Sequence, residues 1–82
     1  MPKVGDRIGG GALEGYSWDL TYVGGVGQMG VGNGVFNWQV IIRKGGTDVA
    51  AAWLAGDDED LAIRFAKHTF REVAGIPPNI TI

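Results

Sequence analysis

The sequence predicts an α+β fold in which a three-stranded antiparallel meander carries one C-terminal helix on its aromatic face. Three observations predict this class. Two segments, about 16–23 and 35–43, alternate apolar and polar residues with the period of a half-buried strand. A Lys-Gly-Gly-Thr turn then leads into a third strand, about 47–55. Residues 57–74 change to the period of an amphipathic helix.

The first two predicted strands each collect bulky apolar side chains on one face. Every second residue is aromatic or aliphatic in both strands: Tyr16, Trp18, Leu20 and Tyr22, then Phe36, Trp38, Val40 and Ile42. Rows of aromatic side chains are also typical of platforms that stack nucleic-acid bases. We interpret this face as core, because the helix offers a matching apolar arc.

The Gly45-Gly46 turn predicts how the third strand pairs with the second. Glycine supplies the positive φ angles that two-residue hairpin turns require. Counting outward from the turn, Arg43 opposes Asp48, and the following pairs are Ile42–Val49, Val40–Ala51 and Trp38–Trp53. This register predicts that Trp53 joins the aromatic face, and that the side chains pointing away from the helix include Ile41, Ala50, Ala52 and Leu54.

The predicted helix has recognisable ends. Asp57 can cap its first turn, and the acidic run that follows complements the positive end of the helix dipole. Gly75 and Pro77-Pro78 prevent its continuation. The last four residues, 79–82, alternate and include β-branched side chains, so we expect a short β tail that adds to a sheet edge of this chain or of a second copy.

Length and composition predict one small domain, residues 1–82, with a glycine-rich N-terminal segment (1–15) and a C-terminal tail (76–82). The chain has no cysteine, which excludes disulfides, thiolate zinc sites and cysteine nucleophiles. Its formal charge of −2 gives no general attraction to nucleic acid or anionic membranes. We find no secretory signal, membrane span, catalytic motif or cofactor motif, and therefore expect a non-enzymatic cytoplasmic protein.

A glycine-rich stretch, Gly24–Gly34, contains the pattern G-x-G-x-x-G of phosphate-binding loops. That pattern binds phosphate through the N-terminus of a following helix, whereas here a strand follows. We interpret the match as accidental. The predicted eleven-residue connection has an apolar side that could contact a partner or cover a ligand as a lid: Val26, Met29 and Val31.

The leading functional hypothesis is a small interaction protein that contacts other proteins and forms homo-oligomers. Small side chains at Ala50 and Ala52, beside Ile41 and Leu54, predict a flat, weakly polar outer face on which another protein could pack. The glycine-rich stretch and the sheet edge are further candidate contact sites.

A second hypothesis is a nucleic-acid-binding module. The cations available for it lie at the hairpin turn and along one helix stripe: Arg43, Lys44, Arg64, Lys67 and Arg71. The β-β-β-α order of residues 16–74 resembles the topology of double-stranded-RNA-binding domains and of the small domains of phage integrase arms and plant transcription factors. Where the RNA-binding fold usually carries lysines, however, this chain has Asp57 to Asp60, which repel phosphate.

Overall fold

A computed structural model describes residues 3–27 and 35–82 of the chain. In these residues one antiparallel sheet of four strands, in the order β1-β2-β3-β4, carries one helix. The elements are β1 Arg7–Leu13, β2 Tyr16–Gly27, β3 Val35–Lys44, β4 Thr47–Leu54 and α1 Glu59–Ala74. The α+β class is confirmed, and the sheet has one strand more than the three predicted.

The additional strand, β1, comes from the glycine-rich N-terminal segment. Its glycines lie against Trp18 of β2: a Cβ atom on Gly11 would stand 2.9 Å from the indole Nε1, and one on Gly9 would stand 3.3 Å from Cη2. On the other face, a Cβ on Gly10 would stand 2.9 Å from the backbone carbonyl oxygen of Trp18. Side chains here would therefore push β1 away from β2, which explains why an edge strand has a sequence that lacks strand patterning.

The hydrophobic core lies between the sheet and α1. The predicted alternation of β2 and β3 is confirmed by the buried residues that they contribute, and α1 packs on them through two alanines and one phenylalanine. The core consists of Trp18, Leu20, Trp38, Val40, Ile42, Ala62, Ala66, Phe70 and Ile76. The indole Nε1 of Trp38 donates a hydrogen bond of 2.8 Å to the carbonyl of Gly56, which ties the β4–α1 connection to the sheet.

The pairing of β3 with β4 departs from the predicted register at Val49. Arg43 opposes Asp48 as predicted, but Ile42 opposes Ala50, so Val49 is the extra residue of a β-bulge. A one-residue shift exchanges the two faces of a strand. The predicted register is therefore wrong beyond the turn.

The bulge changes the face on which each later residue of β4 lies. The core beneath α1 is contacted by Ala50, Ala52 and Leu54, while Trp53 pairs with Gln39 on the opposite face. The prediction that the first three point away from the helix is wrong. So is the placement of Trp53 in the core. The predicted register would have set Trp53 directly opposite Trp38, whose indole already fills the space under the helix.

The helix begins two residues later than predicted, at Glu59. The carboxylate of Asp58, not Asp57, accepts a 3.1 Å hydrogen bond from the backbone N–H of Leu61 and so caps the first turn. Gly75 ends the helix in the left-handed region, with φ of 70°, and its N–H bonds to the carbonyl of Arg71.

The C-terminal tail forms no strand in this chain, so the predicted β tail is wrong here. Ile76 is buried in the core, and a turn follows in which the N–H of Ile80 donates to the Pro77 carbonyl at 3.1 Å. The Arg71 guanidinium donates to the carbonyls of both Pro77 and Ile80. Because two of its carbonyls bond to an arginine, this segment folds back on α1 instead of extending along a sheet edge.

Candidate interaction surface

The open face of the sheet is the face that α1 does not cover. Cross-strand pairing arranges it in three rows, with one residue from each strand in every row. The rows are Arg7–Thr21–Gln39–Trp53, Gly10–Asp19–Ile41–Ala51 and Ala12–Ser17–Arg43–Asp48. We use the name open face for these residues.

A chain of ion pairs crosses the open face from β1 to β4. Asp19 accepts from Arg7 Nε at 2.5 Å and from Arg43 Nη1 at 2.5 Å, and Arg43 Nε donates to Asp48 at 2.7 Å. Each strand contributes one residue to this network. Arg43, one of the cations predicted to contact nucleic acid, is thus held between two carboxylates.

The two ends of the network are much more exposed than its middle. The side chains of Arg7 and Asp48 are 64% and 63% exposed, whereas those of Arg43 and Asp19 are 32% and 30% exposed. The open face therefore has two arginines balanced by two aspartates, with an exposed cation at the β1 side and an exposed anion at the β4 side.

The apolar part of the open face is formed by Ile41 and Trp53, with Ala51 between them at the β4 edge. Both larger side chains are half-buried, and Ala51 is exposed. Of the four sheet residues predicted for interaction, only Ile41 lies here. Trp53 was missed because an alternating aromatic residue resembles core, and no local signal in the sequence marks the bulge at Val49.

The glycine-rich stretch lies partly within the sheet. Residues 24–27 continue β2, where Val26 pairs with Phe36 of β3 after a register shift. Gly25 therefore starts the G-x-G-x-x-G pattern inside a strand, with φ of 82°. Met29 and Val31, the other two predicted contact residues, lie outside the described residues.

The remaining predicted cations have separate surroundings. Lys44 places its ammonium 5.3 Å from the centre of the Tyr16 ring, and Arg71 binds the tail. Lys67 lines a groove of about 210 Å³ between β1, α1 and the tail, while Arg64 is exposed. One member of the predicted helix stripe is thus committed to a structural contact.

Two further properties concern the described residues only. Within 3–27 and 35–82, no group of three or more histidine, cysteine or acidic side chains is arranged to hold a metal ion. In the same part of the chain, no helix has both the length and the apolar character that crossing a membrane requires.

Comparison with known proteins does not assign the chain to a family. The sequence matches no protein-family model and no curated protein, and the structure matches no solved structure. Residues 16–74 contain three antiparallel strands followed by the helix, the order noted above, and β1 adds a fourth strand before them. The arrangement of the open face is therefore the evidence from which a function can be argued.

Proposed function

We propose that this protein is a non-enzymatic interaction module whose open face binds a second copy of the chain. The observation that carries the proposal is the neutral ion-pair network beside exposed apolar surface. Arginines that are already paired with carboxylates offer little to a phosphate backbone. Aromatic and aliphatic side chains among paired charges, in contrast, are typical of protein interfaces.

The charge distribution favours a second copy as the partner. A two-fold axis that exchanges the β1 and β4 sides brings the cationic side of one open face over the anionic side of the other. Such an axis runs along the strands and keeps each row over the same row, so Arg7 of each copy would lie over Trp53 of its partner, whose ring can receive a guanidinium group. Such an interface is isologous, so each favourable contact is made twice.

The size of the open face predicts a weak dimer. The open face is four strands wide, at about 4.8 Å per strand, and its three rows together extend over about 20 Å along the strands. Its projected area is therefore about 400 Å² per copy. Two copies would bury about 800 Å², which is below the usual range for stable complexes. We therefore expect association in the micromolar range or weaker, with a dependence on protein concentration.

Sedimentation velocity over a range of concentrations tests this proposal. Ala51→Glu places a carboxylate in the apolar part of the open face, opposite Ile41, and should weaken the dimer at least tenfold. Ala55→Glu is the matched control, because Ala55 is also exposed but follows the end of β4. Circular dichroism should show the same fold for both variants.

Two results would contradict the proposal. The unmodified protein could sediment as a monomer at every concentration, including millimolar. Alternatively, Ala51→Glu could leave the dimer as strong as Ala55→Glu does, which would place the interface elsewhere on the molecule.

A further inference from the structure

We propose that the outer edge of β4, together with the flank of α1 beside it, binds an extended basic segment of another protein by strand addition. This site uses the backbone edge of β4, whereas the dimer uses side chains of the open face, and its partner is not a second copy. Three features of the molecule support this site: the free edge of β4, the apolar helix flank beside it, and the charge around both.

The outer edge of β4 is suited to accept a further strand. Among the described residues, backbone hydrogen bonds join β4 to β3 on one side, and none is made on the other. Edge strands are commonly protected by proline, lysine or a bulge. β4 contains no proline or lysine, and its bulge lies at Val49, so the segment Ala50–Leu54 stays regular.

The side chains of this segment leave its backbone accessible. Three consecutive alanines, residues 50–52, occupy its first part. An approaching strand therefore meets few bulky groups before its backbone reaches hydrogen-bonding distance. In β-augmentation these main-chain bonds supply affinity, and pockets for alternate side chains supply specificity.

The flank of α1 next to β4 supplies an apolar wall. Ala62 and Ala66 face the core, and Lys67 on one flank lines the groove beside β1. At about 100° per residue, Leu61 and Phe65 lie on the opposite flank, toward β4. Leu61 is 46% exposed although it belongs to the apolar arc of the helix. Alternate side chains of an added strand would cover it.

The charge around this site is acidic. Between Lys44 and Arg64 the chain has no lysine or arginine, and its five charged residues are Asp48, Asp57, Asp58, Glu59 and Asp60. Asp48 lies near the start of β4 and the other four follow its end, all exposed. Because Asp48 is paired with Arg43, it is the four carboxylates beyond the end of β4 that favour an extended segment carrying lysine or arginine.

The same charges disfavour a second copy at this edge. If two β4 strands paired antiparallel about Ala52, the middle of this segment, Asp48 would oppose Gly56 and lie next to the acidic run that starts at Asp57 of the other copy. Like charges at both ends of the ladder would repel each other. The partner strand is therefore expected to come from a different chain with the opposite charge.

Peptide binding followed by NMR tests this inference. The probe is an eight-residue peptide of alternating lysine and valine with blocked ends, titrated into the isotope-labelled protein. We expect saturable shifts of the backbone amides of Ala50–Leu54, and an affinity that falls as salt is raised. A glutamate–valine peptide should bind at least tenfold more weakly. A lysine–valine peptide N-methylated at two adjacent central residues should also bind at least tenfold more weakly, because it loses one backbone N–H donor on each edge of its strand.

Substitutions on the protein separate this site from others. Leu61→Ser should weaken peptide binding by about threefold to tenfold, while Val4→Ser, the matched control at a 71% exposed position near β1, should have no effect. Equal binding of the N-methylated peptide, shifts centred on Ile41 instead of β4, or no binding at millimolar peptide would each overturn the inference. None of these results bears on the dimer, which sedimentation of the unmodified protein without peptide tests independently.

Discussion

Replacing Gly11 with alanine should destabilise the fold by forcing a methyl group against Trp18. The added Cβ would stand 2.9 Å from the indole Nε1, and ordinary contacts between such atoms begin near 3.4 Å. The ring must therefore move by about 0.5 Å, or β1 must separate from β2 by as much. Trp18 is only 5% exposed and belongs to the core, so a shift of its ring disturbs the contacts that it makes there. Overpacking of this kind costs about 1–3 kcal/mol.

Part of this cost is offset by the lower conformational freedom of alanine. Glycine inside a strand is less favourable than alanine by about 0.5–1 kcal/mol. The net loss of unfolding free energy is therefore expected to be about 1 kcal/mol, which for a domain of this size lowers Tm by about 4–8 °C.

Thermal unfolding followed by circular dichroism measures this change, and two comparisons isolate its cause. Gly9→Ala should lower Tm by less than Gly11→Ala does, because its Cβ would stand 3.3 Å from the Trp18 ring. In a Trp18→Phe background, where Nε1 is absent, Gly11→Ala should become neutral or stabilising. If Gly11→Ala lowers Tm equally in both backgrounds, or not at all, then the glycines of β1 are not explained by contact with this indole.

Four other predictions follow from the sheet and its connections. Asp19→Asn should lower the free energy of unfolding by about 1–2 kcal/mol, since two guanidinium groups lose their shared carboxylate. Urea unfolding should show a smaller loss of unfolding free energy in about 1 M salt, and an equal loss would exclude an ionic origin. Ala52→Glu should lower the free energy of unfolding by more than about 3 kcal/mol because residue 52 faces α1, whereas Ala51→Glu should change it by less than about 0.5 kcal/mol. Similar values for the two variants would contradict the observed register. Deleting Val49 should preserve the fold, because it removes only the extra residue of the bulge; loss of the dispersed NMR spectrum would show that the bulge is required. Arg71→Ala should speed amide hydrogen exchange in the tail that follows α1, and unchanged exchange would mean that other contacts hold it.

The sequence by itself determined the elements whose signals are local. Alternation identified β2 and β3 and most of the core that they supply, because a period of two is a property of the strand alone. The Gly45-Gly46 turn identified the hairpin, and Gly75 identified the end of the helix. Each of these features depends on residues within a few positions of one another in the chain.

The tertiary structure decided the features that depend on distant contacts. β1 is a strand because its glycines fit against Trp18, a relation that no pattern within β1 displays. The bulge at Val49 exists where Trp38 already occupies the space beneath α1, and it moves Trp53 to the open face. The face on which side chains lie was therefore mispredicted in β4 and correctly predicted for Ile41. A one-residue shift in pairing exchanges the faces of a whole strand, and packing between strands selects that shift, not the strand itself.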